Sequence, residues 1–431
     1  MSTSQPPSPK RAAAEVRPHE RGTVVLMTLA IFLLMVAYYV LKTIREPWIL
    51  ASGSAELKAY ASAVQAAALI FVLPLFSYAV LRFDTKKLVL GLSLAFFVCL
   101  ELFFFGARAD IALGFVFYVW VGIFSLSAIA LFWSVANDAF DKKTGERLFP
   151  IVTLGMTAGP VVGSKLGGLL FGWDFEIESV LQVAAVVLGL HLIVYLVLLQ
   201  RPDMQLSSAK REGLPIAQST MQGFQLVFAR PYIRLVALLL ILLNVANTTG
   251  EYILSTHVET LAAGREDARA IIGAFYGDFY FWVNISAVCI QLFLAGLLVR
   301  RFGLGGLLFV LPIIALGTYA LVALGVGFHV FRWMKTAENA ADYSLMNNAK
   351  AMLWLPTSRE ERFSAKQTVD TFFVRVGDLI AAGAVYVGTT FLEWGPRGFA
   401  FFNVFIVFTW LGTCWLLVRT YKERSSSRSE I

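Results

Sequence analysis

Charge is scarce in this chain. Only 15% of its 431 residues are Asp, Glu, Lys or Arg, where soluble domains run near 25%. Cysteine and histidine are scarcer still. Cys99, Cys289 and Cys414 lie far apart inside apolar runs, which excludes a disulfide scaffold and any paired zinc or redox spacing; they read as small core residues. His19, His191, His257 and His329 are isolated, so no metal-ligating pattern forms. The phosphate loop G-x-x-x-x-G-K-[ST] is missing, and Gly163-Ser164-Lys165 reverses its order inside an apolar run. No nucleophile elbow or metal-binding helix motif occurs. These absences argue against an enzyme, a cofactor and an ATP-driven pump.

What is abundant is apolar surface: 58% of residues are hydrophobic and 14% aromatic, with a mean hydropathy of +0.70. That demands more interior than a chain of this length encloses in water. A spanning helix needs about 20 apolar residues, and apolar runs occur near 24–46, 59–80, 88–106, 112–135, 148–171 and 178–199, then 234–255, 269–298, 304–324, 326–345, 368–391 and 398–418. The expected fold is an all-α polytopic membrane protein of twelve transmembrane helices in two six-helix halves. Its parts are a tail (1–22), a first half (23–199), a connector (200–233), a second half (234–418) and a tail (419–431). Residues 24–41 are longer than a signal-peptide core and have no small-residue cleavage site, so they read as a first membrane helix.

The formal charge of +7 is placed as a topology signal, not as a nucleic-acid surface. The two tails, the connector and alternate loops carry 25 Lys and Arg; the remaining loops carry seven, Lys42, Arg45, Lys58, Arg108, Arg265, Arg269 and Arg397. By the positive-inside rule both termini are cytoplasmic. Two six-span halves on a cytoplasmic connector resemble the major facilitator architecture, whose halves are parallel repeats around a midplane site. Within the connector, 221–228 reads either as a short interfacial helix or as ordinary linker.

Ions inside the spans are the informative residues, since each costs about 2.5–3.5 kcal/mol at a helix centre on insertion scales. The tenth span carries Arg332, Lys335, Glu338, Asn339 and Asp342 at spacings of three to four, which suits either a wet face on a central cavity or a buried ladder between helices. The first span ends with Tyr38, Lys42 and Arg45 on one face, followed by Glu46 and Pro47, the latter expected to stop the helix. These bases read as cavity-facing or as snorkelling to the interface. Lys165 stands among Gly155, Gly159, Gly163, Gly167 and Gly168; the glycines suit close helix packing and the lysine a cavity. Polar faces recur at Asn244, Asn247, Thr248, Glu251 and Ser255, at Tyr280 and Asn284 with Asp278 alongside, and at Asp370, Arg375 and Asp378. Glu101 stands outside any such face. Polarity on six separated spans points to a water-filled pathway, and the two-half layout favours a carrier.

Three stretches carry a family resemblance. Tyr39-Val40-Leu41-Lys42-Thr43-Ile44-Arg45-Glu46 resembles Y-x-L-[KR]-x-x-K-D. Phe132-Trp133-Ser134-Val135-Ala136-Asn137, with Arg147-Leu148-Phe149-Pro150 after it, resembles F-W-x-x-A-N followed by R-F-[YF]-P. Residues 342–356, DYSLMNNAKAMLWLP, are similar to K-Y-S-L-F-D-P-x-K-E-M-x-Y-I-P. All belong to the ATP/ADP translocase family, nucleotide transporters of intracellular bacteria and plastids, and the likeness extends from about 24 to 420. It implies a multi-pass protein of the bacterial cytoplasmic membrane, a monomer, that exchanges nucleotides. The departures fall on charges: Asp342 replaces a lysine, Asn347 an aspartate and Ala351 a glutamate.

Two functions follow. In the first, a nucleotide or related anion binds Lys42, Arg45, Lys165, Arg332, Lys335, Arg375 and Lys350, with Tyr38, Trp133 or Tyr280 stacked on the base. Six intramembrane bases face eight acids, whereas a polyphosphate cavity should be net basic. In the second, a symporter couples another solute to protons through Glu251, Asp278, Glu338 or Asp342; Glu46, Asp370 and Asp378 join these as coupling or gating residues. A membrane scaffold or sensor is the non-transport alternative.

Overall fold

Backbone amides in hydrocarbon have no water to bond, so each apolar run must satisfy them within itself, and a helix does so. The structure is a computed structural model describing residues 16–201, 216–358 and 361–429; residues 1–15 of the expected N-terminal tail, 202–215 of the expected connector and 430–431 of the expected C-terminal tail lie outside these residues. The first six spans are Arg21–Ser52, Ala55–Arg82, Thr85–Arg108, Gly114–Ala139, Lys142–Gly172 and Ile177–Leu199. After a connector helix, Ile216–Ala229, come Pro231–Ala262, 268–302, 304–323, 328–353, 361–390 and Pro396–Ser429. Nine helical stretches among the described residues are long and apolar enough to cross a membrane. The fifth span, the ninth and the charge-dense tenth fall outside that count. Gly303, at φ +60°, separates the eighth span from the ninth, a conformation glycine adopts without a Cβ clash.

Loops are short because caps end the helices abruptly. Ser54 accepts from Leu57 N–H at 3.1 Å, Asp84 from Lys86 and Lys87 at 3.1 and 3.2 Å, and Asp141 from Thr144 at 3.0 Å. Each satisfies orphan amides of a first turn. The first helix does not stop at Pro47; it runs through to Ser52. Proline removes its own amide bond and crowds the carbonyl one turn back, yet the helix continues past it, and the neighbouring Trp48 is buried 4.8 Å, centroid to centroid, from Phe117.

The first and seventh spans are the two hubs. The first packs on the fourth, fifth and sixth, and the seventh on the eleventh and twelfth. The span-5 glycines are packing residues, as their spacing indicated: a Cβ at Gly159 would lie 2.7 Å from Phe32 O and one at Gly163 2.5 Å from Val36 O. Between the two groups of six, the fifth span meets the eighth and the second meets the eleventh, a reciprocal pairing that parallel repeats generate. Cys414 is buried, Cys99 half-buried, and Cys289 exposed, so the expectation of three core cysteines fails at Cys289, which the outward face of its helix carries. Glu101 accepts from Gln182 at 3.3 Å, joining the third and sixth spans. The segment 221–228 is helical, and Phe224 and Phe228 rest on Phe373 of the eleventh span.

At the start of the first span Arg147 grips Glu20 with two hydrogen bonds, at 2.6 and 2.7 Å. That guanidinium lowers the Glu20 carboxyl from 4.5 to about 2. A depressed carboxylate contributes stability that is complete above its unfolded value and lost as pH falls through the folded one. The melting-temperature gap between the wild type and Glu20→Gln should therefore be constant from pH 8 to pH 6, by roughly two-state linkage. It should close between about 4.5 and about 2. Fluorescence-detected melts in detergent micelles measure it; a gap that closes near neutral pH would contradict the assignment.

Candidate functional site

Seven spans converge on a central cavity of about 320 Å³, inside the range ordinary for small-molecule sites, about 300–1,000 Å³. Four bases line it: Lys42 and Arg45 from the first span, Lys58 from the second and Arg375 from the eleventh. Two carboxylates face them, Glu251 and Asp378. Tyr38, Tyr118, Tyr252, Tyr280 and Tyr343 supply five aromatic walls, and Gln65, Asn244, Asn247 and Asn339 supply amides.

Glu46 organises the cationic side. It is fully buried and holds Arg45 at 2.7 Å and Lys58 at 2.7 Å, while Tyr280 donates to it at 2.8 Å. Lys58 also reaches Ser255 at 2.8 Å and Tyr276 at 3.2 Å. Glu46 thus ties the first and second spans to the eighth, and Lys58 extends the link to the seventh. Arg45 lies over the Tyr118 ring at 4.1 Å. Lys42 sits differently: its Nζ is 4.1 Å from the Tyr280 centroid and 3.4 Å from the Tyr343 hydroxyl. Across the cavity Arg375 pairs with Asp378 at 3.3 Å, to which Thr248 donates at 3.0 Å. Asn339 donates to Glu251 at 3.0 Å.

The structure therefore gathers Tyr38, Lys42, Arg45, Glu46, Asn244, Asn247, Thr248, Glu251, Tyr280, Asn339, Arg375 and Asp378 of the residues singled out from sequence, and places the other candidate site residues elsewhere. The wet-face reading of the tenth span holds only for Asn339. Lys335 is buried against Glu338 at 2.7 Å and Asn247 at 3.1 Å, and Tyr319 donates to Glu338 at 2.9 Å, so this pair is a structural ladder to the seventh and ninth spans. Arg332 pairs with Asp278, which Lys165 approaches at 3.9 Å. That triad joins the fifth, eighth and tenth spans away from the cavity, and Lys165 is off the lining. Lys350 holds Asp342 at 3.3 Å and Lys366 holds Asp370 at 2.5 Å. Trp133 packs edge-on against Phe149 at 5.5 Å.

Residues 24–337 match the family model of the Major Facilitator Superfamily. The chain belongs to that superfamily. Among curated relatives, the ADP,ATP carrier protein 1 of Chlamydia trachomatis is 23% identical over 363 residues, 73% of this chain and 66% of the relative. That of Chlamydia pneumoniae is 22% identical over 365 residues, 73% of this chain and 68% of the relative. The aligned part thus spans about two thirds of the length of these carriers. The translocase resemblance carried by the sequence motifs is borne out. Among solved structures, the nucleoside transporter NupG aligns with a TM-score of 0.69 at 14% identity, covering 91% of this chain and 98% of that one. The likeness is one of fold.

This facilitator is a multi-pass membrane protein whose cross-half contacts gather toward the face opposite the termini. There the Ala55 amide donates to Glu259 at 2.9 Å, Arg269 approaches Asp110 at 3.9 Å, and Tyr60 meets Tyr386 at 6.3 Å. Gly168 and Gly277 bring the fifth and eighth spans together, since a Cβ on Gly277 would sit 2.2 Å from Gly168 Cα. We predict that Gly277→Ala weakens this closed arrangement by about 1–3 kcal/mol, the usual cost of overpacking. Ser62→Cys in a background lacking the three native cysteines reports it: labelling from that face by an impermeant maleimide should accelerate, and an unchanged rate would refute the prediction.

Sequence reasoning missed Lys58, which it placed in a loop. Lys58, Ser62 and Gln65 recur at four and three residues, a polar helical face in an alanine-rich helix, and that was the available signal. Tyr118 carried none, being an aromatic among aromatics, whereas Tyr343 stands four residues after Asn339 and inside the stretch 342–356, and that spacing was its signal.

Proposed function

We propose that this protein is a secondary transporter of an organic anion of the nucleotide class, moved by alternating access as two six-helix halves rock about the cavity. One observation carries the reading: the cavity lining is net basic, four cations against two carboxylates. Lys42, Arg45, Lys58 and Arg375 offer the charge-assisted donors that phosphate oxygens need, and Tyr38 and Tyr280 offer faces on which a base stacks. The names of the Chlamydia carriers support a nucleotide. The excess of Lys and Arg on alternate loops supports cytoplasmic termini in a bacterial inner membrane. The test is uptake of labelled adenine nucleotides by proteoliposomes holding the purified protein. Uptake that rises with unlabelled nucleotide inside is expected; no uptake of any of them would overturn the reading.

A second reading rests on Glu251. It lines the cavity and its contact there is the Asn339 amide, the environment of a proton-relay carboxylate. Were transport proton-coupled, dissipating the gradient would stop it and Glu251→Gln would leave exchange but abolish accumulation.

A further inference from the structure

We infer that the cavity is built for a singly charged anion, so that among ligands sharing one base it favours a phosphodiester over a polyphosphate. The inference rests on the anion-transport reading and narrows it. Four positive charges line the cavity, but Glu46 lies directly behind Arg45 and Lys58, at 2.7 Å from each. With Glu251 and Asp378 the carboxylates number three, and one positive charge is left over. That surplus belongs to the site as a whole, because Glu251 makes no ion pair with a described base; the pairs show which base an anion meets first. Arg45 and Lys58 share Glu46, and Arg375 has Asp378 at 3.3 Å. Lys42 makes no ion pair with a described carboxylate; it faces the Tyr280 ring at 4.1 Å, the Tyr39 ring at 5.2 Å and the Tyr343 hydroxyl at 3.4 Å. It is the ammonium from which an incoming anion displaces no carboxylate. A ligand of one negative charge neutralises the site; each further charge enters a buried, low-dielectric region with no cation to meet it except by breaking an existing pair.

Binding of an adenine series to the purified full-length protein, at pH 7.5, fixed ionic strength and without magnesium, tests this. Adenosine is neutral and cyclic AMP carries one negative charge; AMP carries about two, ADP about three and ATP about four, following phosphate ionisation. Affinity should peak at cyclic AMP and fall at least tenfold by ATP. Glu251→Gln and, independently, Ser62→Lys each add one positive charge to the lining, and in either folded variant the peak should move to AMP. Wild-type protein that binds ATP as tightly as cyclic AMP, or a peak that stays in place in a folded variant, would overturn the inference while leaving anion transport standing. Binding by none of the five ligands would remove the nucleotide reading and this inference with it.

Discussion

Replacing Lys42 by methionine is expected to weaken nucleotide binding at least about thirtyfold while the protein stays folded. Truncating one partner of a buried, hydrogen-bonded charge pair costs about 2–5 kcal/mol, and a factor of ten corresponds to about 1.4 kcal/mol. The loss should be confined to binding because Lys42 pairs with no described carboxylate: its contacts are Tyr39, Tyr280 and Tyr343. Removing the ammonium leaves no orphaned acid behind, which is the usual reason buried-charge mutants unfold. Methionine fills the space, and its sulfur packs well against aromatic rings. Calorimetric titration with cyclic AMP, together with the melting temperature, separates the two effects. A folded variant with unchanged affinity would show that the cavity's free cation is not where the anion docks.

How much of this was readable from the residues depended on what each signal encodes. Spacing at three to four residues gives a helical face, and on the first span it sufficed: Tyr38, Lys42 and Arg45 do line the cavity. The same spacing on the tenth span left a wet face and a buried ladder both open, because a period says which residues share a face and nothing about what that face meets. There Lys335 meets Glu338 one turn on and Asn247 from another span, and the face closes into a ladder. The charge tally failed for a related reason. It counted every intramembrane ion, while the site is defined by the few that converge; Asp278, Glu338, Asp342 and Asp370 are each bound to a base outside the cavity. Lys58 was excluded by its position near a predicted helix end, yet its own helix buries it. The glycine ladder of the fifth span was legible because close approach leaves small residues no alternative.

The largest loss of stability should come from Glu46→Gln. Glu46 is the only carboxylate within ion-pair distance of Arg45 and Lys58 among the described residues, at 2.7 Å from each, and its side chain is fully buried. Glutamine keeps the shape and the Tyr280 hydrogen bond but cancels the charge, leaving two neighbouring buried cations without an anion. Breaking a buried pair in this way costs about 3–5 kcal/mol. A second change tells this cause apart from lost packing. In Glu46→Gln with Lys58→Met, one of the two cations that Glu46 holds is gone, so the double variant should be more stable than Glu46→Gln alone, with a coupling of about 0.5–3 kcal/mol in the cycle. An exposed pair gives the control: Arg265 and Asp267 are about half exposed, 58% and 48%, and Asp267→Asn should leave the melting temperature nearly unchanged. Because Glu46 joins the first two spans to Tyr280 of the eighth, its neutralisation should also loosen the face opposite the termini, and Ser62→Cys should label faster from that side. If Glu46→Gln melts with the wild type, the two bases are neutralised by something other than Glu46, and the charge balance assigned to the cavity fails with it.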